Sequence, residues 1–258
     1  TNSAHARQEL DMKIVAGGCS FTYNNEFTWV GDIKKIHDAT INVGSCAAGN
    51  DYIARSVIHE LDKHTDVALI CQWSGIHRQS YYIDESNPLY KDFKESAGQW
   101  PDWAGDYHMP ESDAVDNNDF WIKTGGNNIA HSGSSSLIHK HFVEPYAKYF
   151  YSNEQALVET FENILRVQYY CESRNIKYLM FWWKKELDNY RLGKYSKTLY
   201  NKINLNNWLP NLGDWCVGNA SLLQKDLDQG YHPTQIQHQK YAENIIIPAI
   251  EKFGLLNE

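Results

Sequence analysis

Lys13-Ile14-Val15-Ala16-Gly17-Gly18-Cys19-Ser20-Phe21-Thr22 reads as an apolar strand, from Met12 to Ala16, that ends in two glycines with a hydroxyl directly behind them. Paired glycines allow a tight turn and close backbone approach, which sets Ser20 at a strand edge. Near the other end of the chain, Asp228-Gln229-Gly230-Tyr231-His232-Pro233-Thr234 brings an acid and an imidazole to the start of the last long helical pattern. A serine at a strand edge, with a distant histidine and carboxylate, has the parts of a nucleophile, a base and an orienting group.

The segments between these two blocks alternate in period. Trp29 to His37 reads as a short helix and Ala39 to Val43 as a second strand. From Asp51 to His64, Ile53, Val57, Ile58 and Leu61 fall on one helical face. Val67-Ala68-Leu69-Ile70-Cys71 is an unbroken apolar run, the mark of a strand covered on both faces. A long helix is expected from about Asn153 to Arg174, a fourth strand over Ile176–Phe181, and a closing helix over Thr234–Phe253. Thr234 and Gln237 have the spacing of a capping box. Strands alternating with helices predict a three-layer α/β/α sandwich with a mostly parallel sheet. Ligands in such folds bind beyond the carboxyl ends of the strands. Ser20, Gly44–Asn50, Gln72–Arg78 and Trp182-Trp183 all follow expected strand ends.

Composition narrows the partners. Asp and Glu number 32 against 24 Lys and Arg, for a net charge of −8, and no long basic run occurs. Nucleic acid and anionic membrane surfaces are therefore not expected partners. Five widely spaced cysteines, an odd number without a CxxC pair, argue against a disulfide framework or a zinc knuckle. No 18-residue apolar segment occurs and no signal stretch is visible, so the expected setting is cytoplasmic or virion-associated. Residues 1–11 are polar and read as a flexible arm, with residues 12–258 forming one domain.

From Tyr81 to His141 periodicity fails across Trp100-Pro101-Asp102-Trp103, Phe120-Trp121 and a Gly- and Ser-rich run. About 60 residues is too long for an ordinary connection, so this stretch is expected to be a cap or lid; assembly with another chain is the alternative. Asn204 to Gly218 is a second irregular stretch. His131, His139 and His141 lie close in sequence but lack the cysteine or carboxylate pattern of a structural zinc site, so neither metal nor cofactor is expected.

Three blocks resemble the SGNH (GDSL-like) hydrolases: Gly17-Gly18-Cys19-Ser20-Phe21-Thr22, Asn42-Val43-Gly44-Ser45-Cys46-Ala47-Ala48-Gly49-Asn50, and Asp228 through His232-Pro233. They occur in that family's order and span nearly the whole chain. The resemblance implies a flavodoxin-like sandwich, Ser20 as nucleophile, His232 as base and the Gly49 amide in the oxyanion hole. Two features depart from the family. Gln72-Trp73-Ser74-Gly75 stands where the family has Gly-x-Asn-Asp, which marks a divergent branch. Position 229, three before the histidine, is Gln, so the orienting acid is Asp228, with Asp226 as its competitor.

Other residues follow from their positions. Gly49 and Asn50 open a helix, where unpaired N–H groups suit a developing oxyanion, and Ser74 is a further donor. Gln72, Trp73, Arg78, Trp182 and Trp183 are the substrate-side candidates, with Arg78 offering a fork of donors to a carboxylate or phosphate. Nine Trp and seventeen Tyr exceed the needs of a core and suit the stacking of sugar faces. The expected activity is a serine esterase removing an acyl group, acetyl above all, from a carbohydrate. The rival is a non-catalytic relative that binds glycan or serves as an assembly piece, as a homo-oligomer or within a virion.

Overall fold

The computed structural model describes residues 12–83, 86, 88, 120–123, 145–184, 187–219 and 232–255. The arm at residues 1–11, Trp100–Trp103, the three loop histidines, Asp226 and Asp228 lie outside the described residues.

In chain order the elements are β1 (Lys13–Gly17), α1 (Ser20–Tyr23), α2 (Trp29–Ile36), β2 (Thr40–Asn42), α3 (Asn50–Asp62), β3 (Val67–Trp73), β4 (Ser80–Ile83) and β5 (Phe120–Lys123). A π-turn at Tyr146–Phe150 leads to α4 (Asn153–Ser173), β6 (Tyr178–Trp182), α5 (Lys194–Tyr200) and α6 (Leu212–Gly218). The chain closes with α7 (Gln235–Tyr241), a π-turn at Ala242–Ile246 and α8 (Ile247–Lys252).

Strands β2, β1, β3 and β6 form a parallel sheet in that order. Ile14, Val15 and Ala16 of β1, and Ala68 through Cys71 of β3, are all fully buried. Successive strand residues point to opposite faces, so both faces of the sheet are covered. Register assigns the layers. Gly17, Cys71 and Met180 align across the sheet, and a Cβ on Gly17 would lie 2.1 Å from Val57 of α3. Helices α3 and α4, which pack on each other, therefore cover that face. Phe181, one residue on, points the other way and packs on Trp29 of α2 and Tyr241 of α7, with ring centroids 5.6 and 5.4 Å away. Each such aromatic pair adds about 0.5–1.5 kcal/mol beyond its area burial. The result is a parallel four-stranded sheet between two helical layers.

Three details differ from the sequence reading. β3 continues to Trp73, because Gln72 and Trp73 pair with Phe181 and Trp182 of β6. The closing helix is continuous but widens into a π-helical turn just before Pro248. Proline lacks the N–H and crowds the carbonyl one turn back, and a widened turn accommodates it. The third detail is an antiparallel pair, β4 with β5, in the stretch where periodicity fails.

The capping box at the start of α7 is present. The Gln237 amide donates to Thr234 Oγ1 at 3.3 Å, and the Thr234 amide donates to Gln237 Oε1 at 2.8 Å. It fixes the entry of α7 directly behind His232. Among the described residues no helix is long and apolar enough to cross a membrane, and all five cysteines are free thiols.

Candidate active site

The first turn after β1 is made by sterics. A Cβ on Gly18 would stand 2.3 Å from Thr22 Oγ1 and 2.9 Å from Gln72 Oε1, so only glycine lets the chain bend here over the end of β3. The Cys19 carbonyl then accepts from the amides of Thr22 and Tyr23, which starts α1 with Ser20 as its first residue. Ser20 Oγ lies 2.9 Å from His232 Nε2, across 212 residues of chain. With that nitrogen unprotonated, the serine hydroxyl donates to it, the arrangement a general base needs. Both residues are half-buried. Phe21 holds the imidazole from the side, edge to face, with centroids 4.6 Å apart.

His238, one turn into α7, is buried and its Nδ1 has no hydrogen-bond partner. Burial, reinforced by the charge of His232, lowers its pKa to about 3. Its ring is therefore neutral beside His232.

Beneath Ser20 sits a packed polar layer. Gln72 is fully buried; its Oε1 accepts from Thr22 Oγ1 at 2.9 Å, and its Nε2 donates to the Trp73 carbonyl at 2.8 Å and to Cys19 Sγ at 3.4 Å. Trp73 is fully buried as well. Both side chains, expected on the substrate side, are packed into the floor beneath Ser20. The Cys19 thiol is held below its ordinary pKa. Burial is the largest influence and raises it, but the Arg78 charge, the Phe21 amide, Gln72 and the Ser74 hydroxyl together outweigh burial. The Ser74 hydroxyl itself is buried and makes no regular hydrogen bond.

The three expected oxyanion donors fare differently. Asn50 is buried, and its Nδ2 donates to the Ser74 carbonyl and to Thr160 Oγ1, both at 3.2 Å, while its Oδ1 accepts from the Ser74 amide at 2.8 Å. The side chain thus clamps α3 to the end of β3 with both amide hydrogens engaged. The Gly49 amide donates to Ser80 Oγ at 3.0 Å. A Cβ on Gly49 would lie 2.8 Å from the Arg78 carbonyl, so the segment leading into β4 rests directly on this glycine. Among the described residues, the Ser74 hydroxyl makes no regular hydrogen bond and acts only on the Cys19 thiol.

Of the two tryptophans at the end of β6, Trp183 lies against Phe21 and Trp182 packs elsewhere. Trp182 packs on Trp208, 5.5 Å between ring centroids. Trp183 lies 5.4 Å from Phe21, with the Arg78 guanidinium 5.4 Å from its ring and Lys184 Nζ 4.0 Å away. Its amide donates to the Trp73 carbonyl and its carbonyl accepts from Gly213, so its backbone is pinned on both sides. Phe21, Cys19, Ser80 and His238 were not singled out from sequence. Phe21 and Cys19 had a signal, adjacency to Ser20; Ser80 and His238 had none. No group of three or more His, Cys, Asp or Glu residues able to hold a metal occurs among the described residues.

No family model matches this chain, and no curated protein or solved structure matches it either. The likeness to SGNH hydrolases accordingly rests on the three sequence blocks alone.

Proposed function

We propose that the chain is a serine esterase of SGNH type, with a flavodoxin-like sandwich, that hydrolyses an acyl ester, acetyl on a carbohydrate in particular. The observation that carries this reading is the 2.9 Å approach of Ser20 Oγ to His232 Nε2. Ser20 Oγ bonds to the ester carbonyl carbon as its proton passes to His232 Nε2. The bond from that carbon to the alcohol oxygen then breaks, and His232 returns the proton to the leaving oxygen. Water, deprotonated by the same nitrogen, releases the acid and restores Ser20. The Ser20 backbone amide and the Ser74 hydroxyl are the donors assigned to the oxyanion; the Gly49 amide would serve only by exchanging Ser80 for substrate. Asp228, or Asp226, is the carboxylate assigned to orient His232. Phe21 and Trp183 favour a small acyl group beside a flat sugar face over a long lipid chain.

A second reading has its own support. With Gly49 bonded to Ser80 and Asn50 fully engaged, two of the expected donors are occupied. That suits a non-catalytic relative that binds glycan or serves in an assembly. Hydrolysis of 4-nitrophenyl acetate by the wild type, Ser20→Ala and His232→Ala separates the two. The esterase reading expects either substitution to cost about 10³-fold or more. It also expects a fluorophosphonate to label Ser20. Equal background rates in all three proteins, with no labelling, would establish the second reading.

A further inference from the structure

Arg78 is only 7% exposed, and its Nε and Nη1 atoms have no hydrogen-bond partner. Among the described residues no carboxylate pairs with it. A buried guanidinium is normally paired, because water no longer satisfies its donors. Its contact with the Trp183 ring at 5.4 Å favours the charge but accepts none of its N–H bonds. The backbone that carries the side chain is held at Arg78 and at the residue after it. The Arg78 amide donates to the Gly75 carbonyl at 3.2 Å, and the next residue, Gln79, donates to Glu159 at 2.8 Å and to the Tyr146 hydroxyl at 3.2 Å.

A second cation stands at the same indole. Lys184 Nζ lies 4.0 Å from the Trp183 ring and forms no ion pair among the described residues. Two positive charges thus share one ring, in a chain whose net charge is −8. That ring touches Phe21, which in turn touches His232. Two rings, Trp183 and then Phe21, lead from the cations to His232.

We propose that Arg78 and Trp183 form an anion subsite, so that the ligand of this site bears an oxyanion group, a carboxylate or a phosphate, next to the bond presented to Ser20. The inference rests on the esterase reading only for what the anion is attached to. The anion supplies the acceptors that Arg78 lacks and also faces Lys184. The indole beside them covers the adjoining apolar part of the ligand.

The test uses the full chain carrying Ser20→Ala, so binding is read without turnover. Benzoate, phenyl phosphate and neutral benzamide are titrated by calorimetry. At least one of the two anions is expected to bind about tenfold or more tightly than benzamide, and Arg78→Met in the same background is expected to remove that preference. Preference for benzoate assigns a sugar acid or a similar carboxylate; preference for phenyl phosphate assigns a phosphate-bearing ligand. Equal binding of all three probes, or an anion preference that survives Arg78→Met, overturns the proposal. A thermal unfolding transition establishes that Arg78→Met is folded. Should it not fold, Arg78→Lys decides: loss of the planar fork should weaken the preferred anion about fivefold or more, and unchanged affinity overturns the subsite. Wild-type protein that binds anions through Arg78 yet hydrolyses no ester would sink the esterase reading alone.

Discussion

Ser80 accepts the amide hydrogen of Gly49 at 3.0 Å, and this bond ties the opening of α3 to the first residue of β4. Both groups are buried. The amide that the family resemblance assigns to an oxyanion therefore has a partner inside the protein. Ser80→Ala would leave a buried N–H without an acceptor, at a cost of about 1–3 kcal/mol. Urea unfolding should show that loss as a lower midpoint with an unchanged slope. The labelling rate of Ser20 by a fluorophosphonate should stay within about twofold, because the hydroxyl serves Gly49. A labelling rate that falls in step with an oxyanion donor's usual share, about 10²-fold, would mean that Ser80 belongs to the chemistry.

Asn50 separates clamping from catalysis more sharply. Asn50→Ala removes one acceptor and two donors from the junction of α3 with β3, and strands the Ser74 amide and carbonyl. A stability loss of about 1–3 kcal/mol is expected. Asn50→Asp keeps the acceptor for the Ser74 amide but sets a buried carboxylate against the Ser74 carbonyl, so it should be the more destabilising of the two. Under conditions where both variants are folded, Ser20 should label within about fivefold of the wild-type rate. A drop of about 10²–10³ in Asn50→Ala would instead assign its amide to the oxyanion.

How far the site was legible in sequence depends on how local each signal is. Ser20 and His232 each sit in a short motif whose neighbours fix its place: two glycines that end a strand, and a Thr234–Gln237 box that starts a helix. Gln72 was misplaced beyond its strand because an amide interrupts an apolar run. It is tolerated inside because Thr22, the Trp73 carbonyl and Cys19 satisfy it, and those partners come from folding. The pairing of β4 with β5 joins segments too far apart for a turn signal to link them. The bond between Ser80 and Gly49 and the approach of His238 to His232 likewise exist only once helices and strands dock. Trp182 and Trp183 look equivalent as a dipeptide. Strand alternation sends one to Trp208 and the other toward Phe21.

His238 gives the fold a dependence on pH that can be measured apart from activity. In the folded protein its pKa is lowered to about 3, by burial first and by His232 second. In the unfolded chain it returns to the ordinary value of about 6.5. Above 6.5 neither state holds the proton, and the group contributes no pH dependence. As pH falls below 6.5, the unfolded chain binds a proton that the folded chain refuses, and stability drops. The slope approaches about 1.4 kcal/mol per pH unit and persists until the folded-state value near 3 is reached. His238→Leu removes the titrating ring while keeping an apolar side chain in its place. Urea unfolding of both proteins from pH 7 to pH 4 should show the wild type losing stability faster by about that slope, with the carboxylate contributions cancelling in the difference. Parallel curves would mean that His238 takes up its proton in the folded state. That would require a partner for Nδ1, which it lacks in the folded protein.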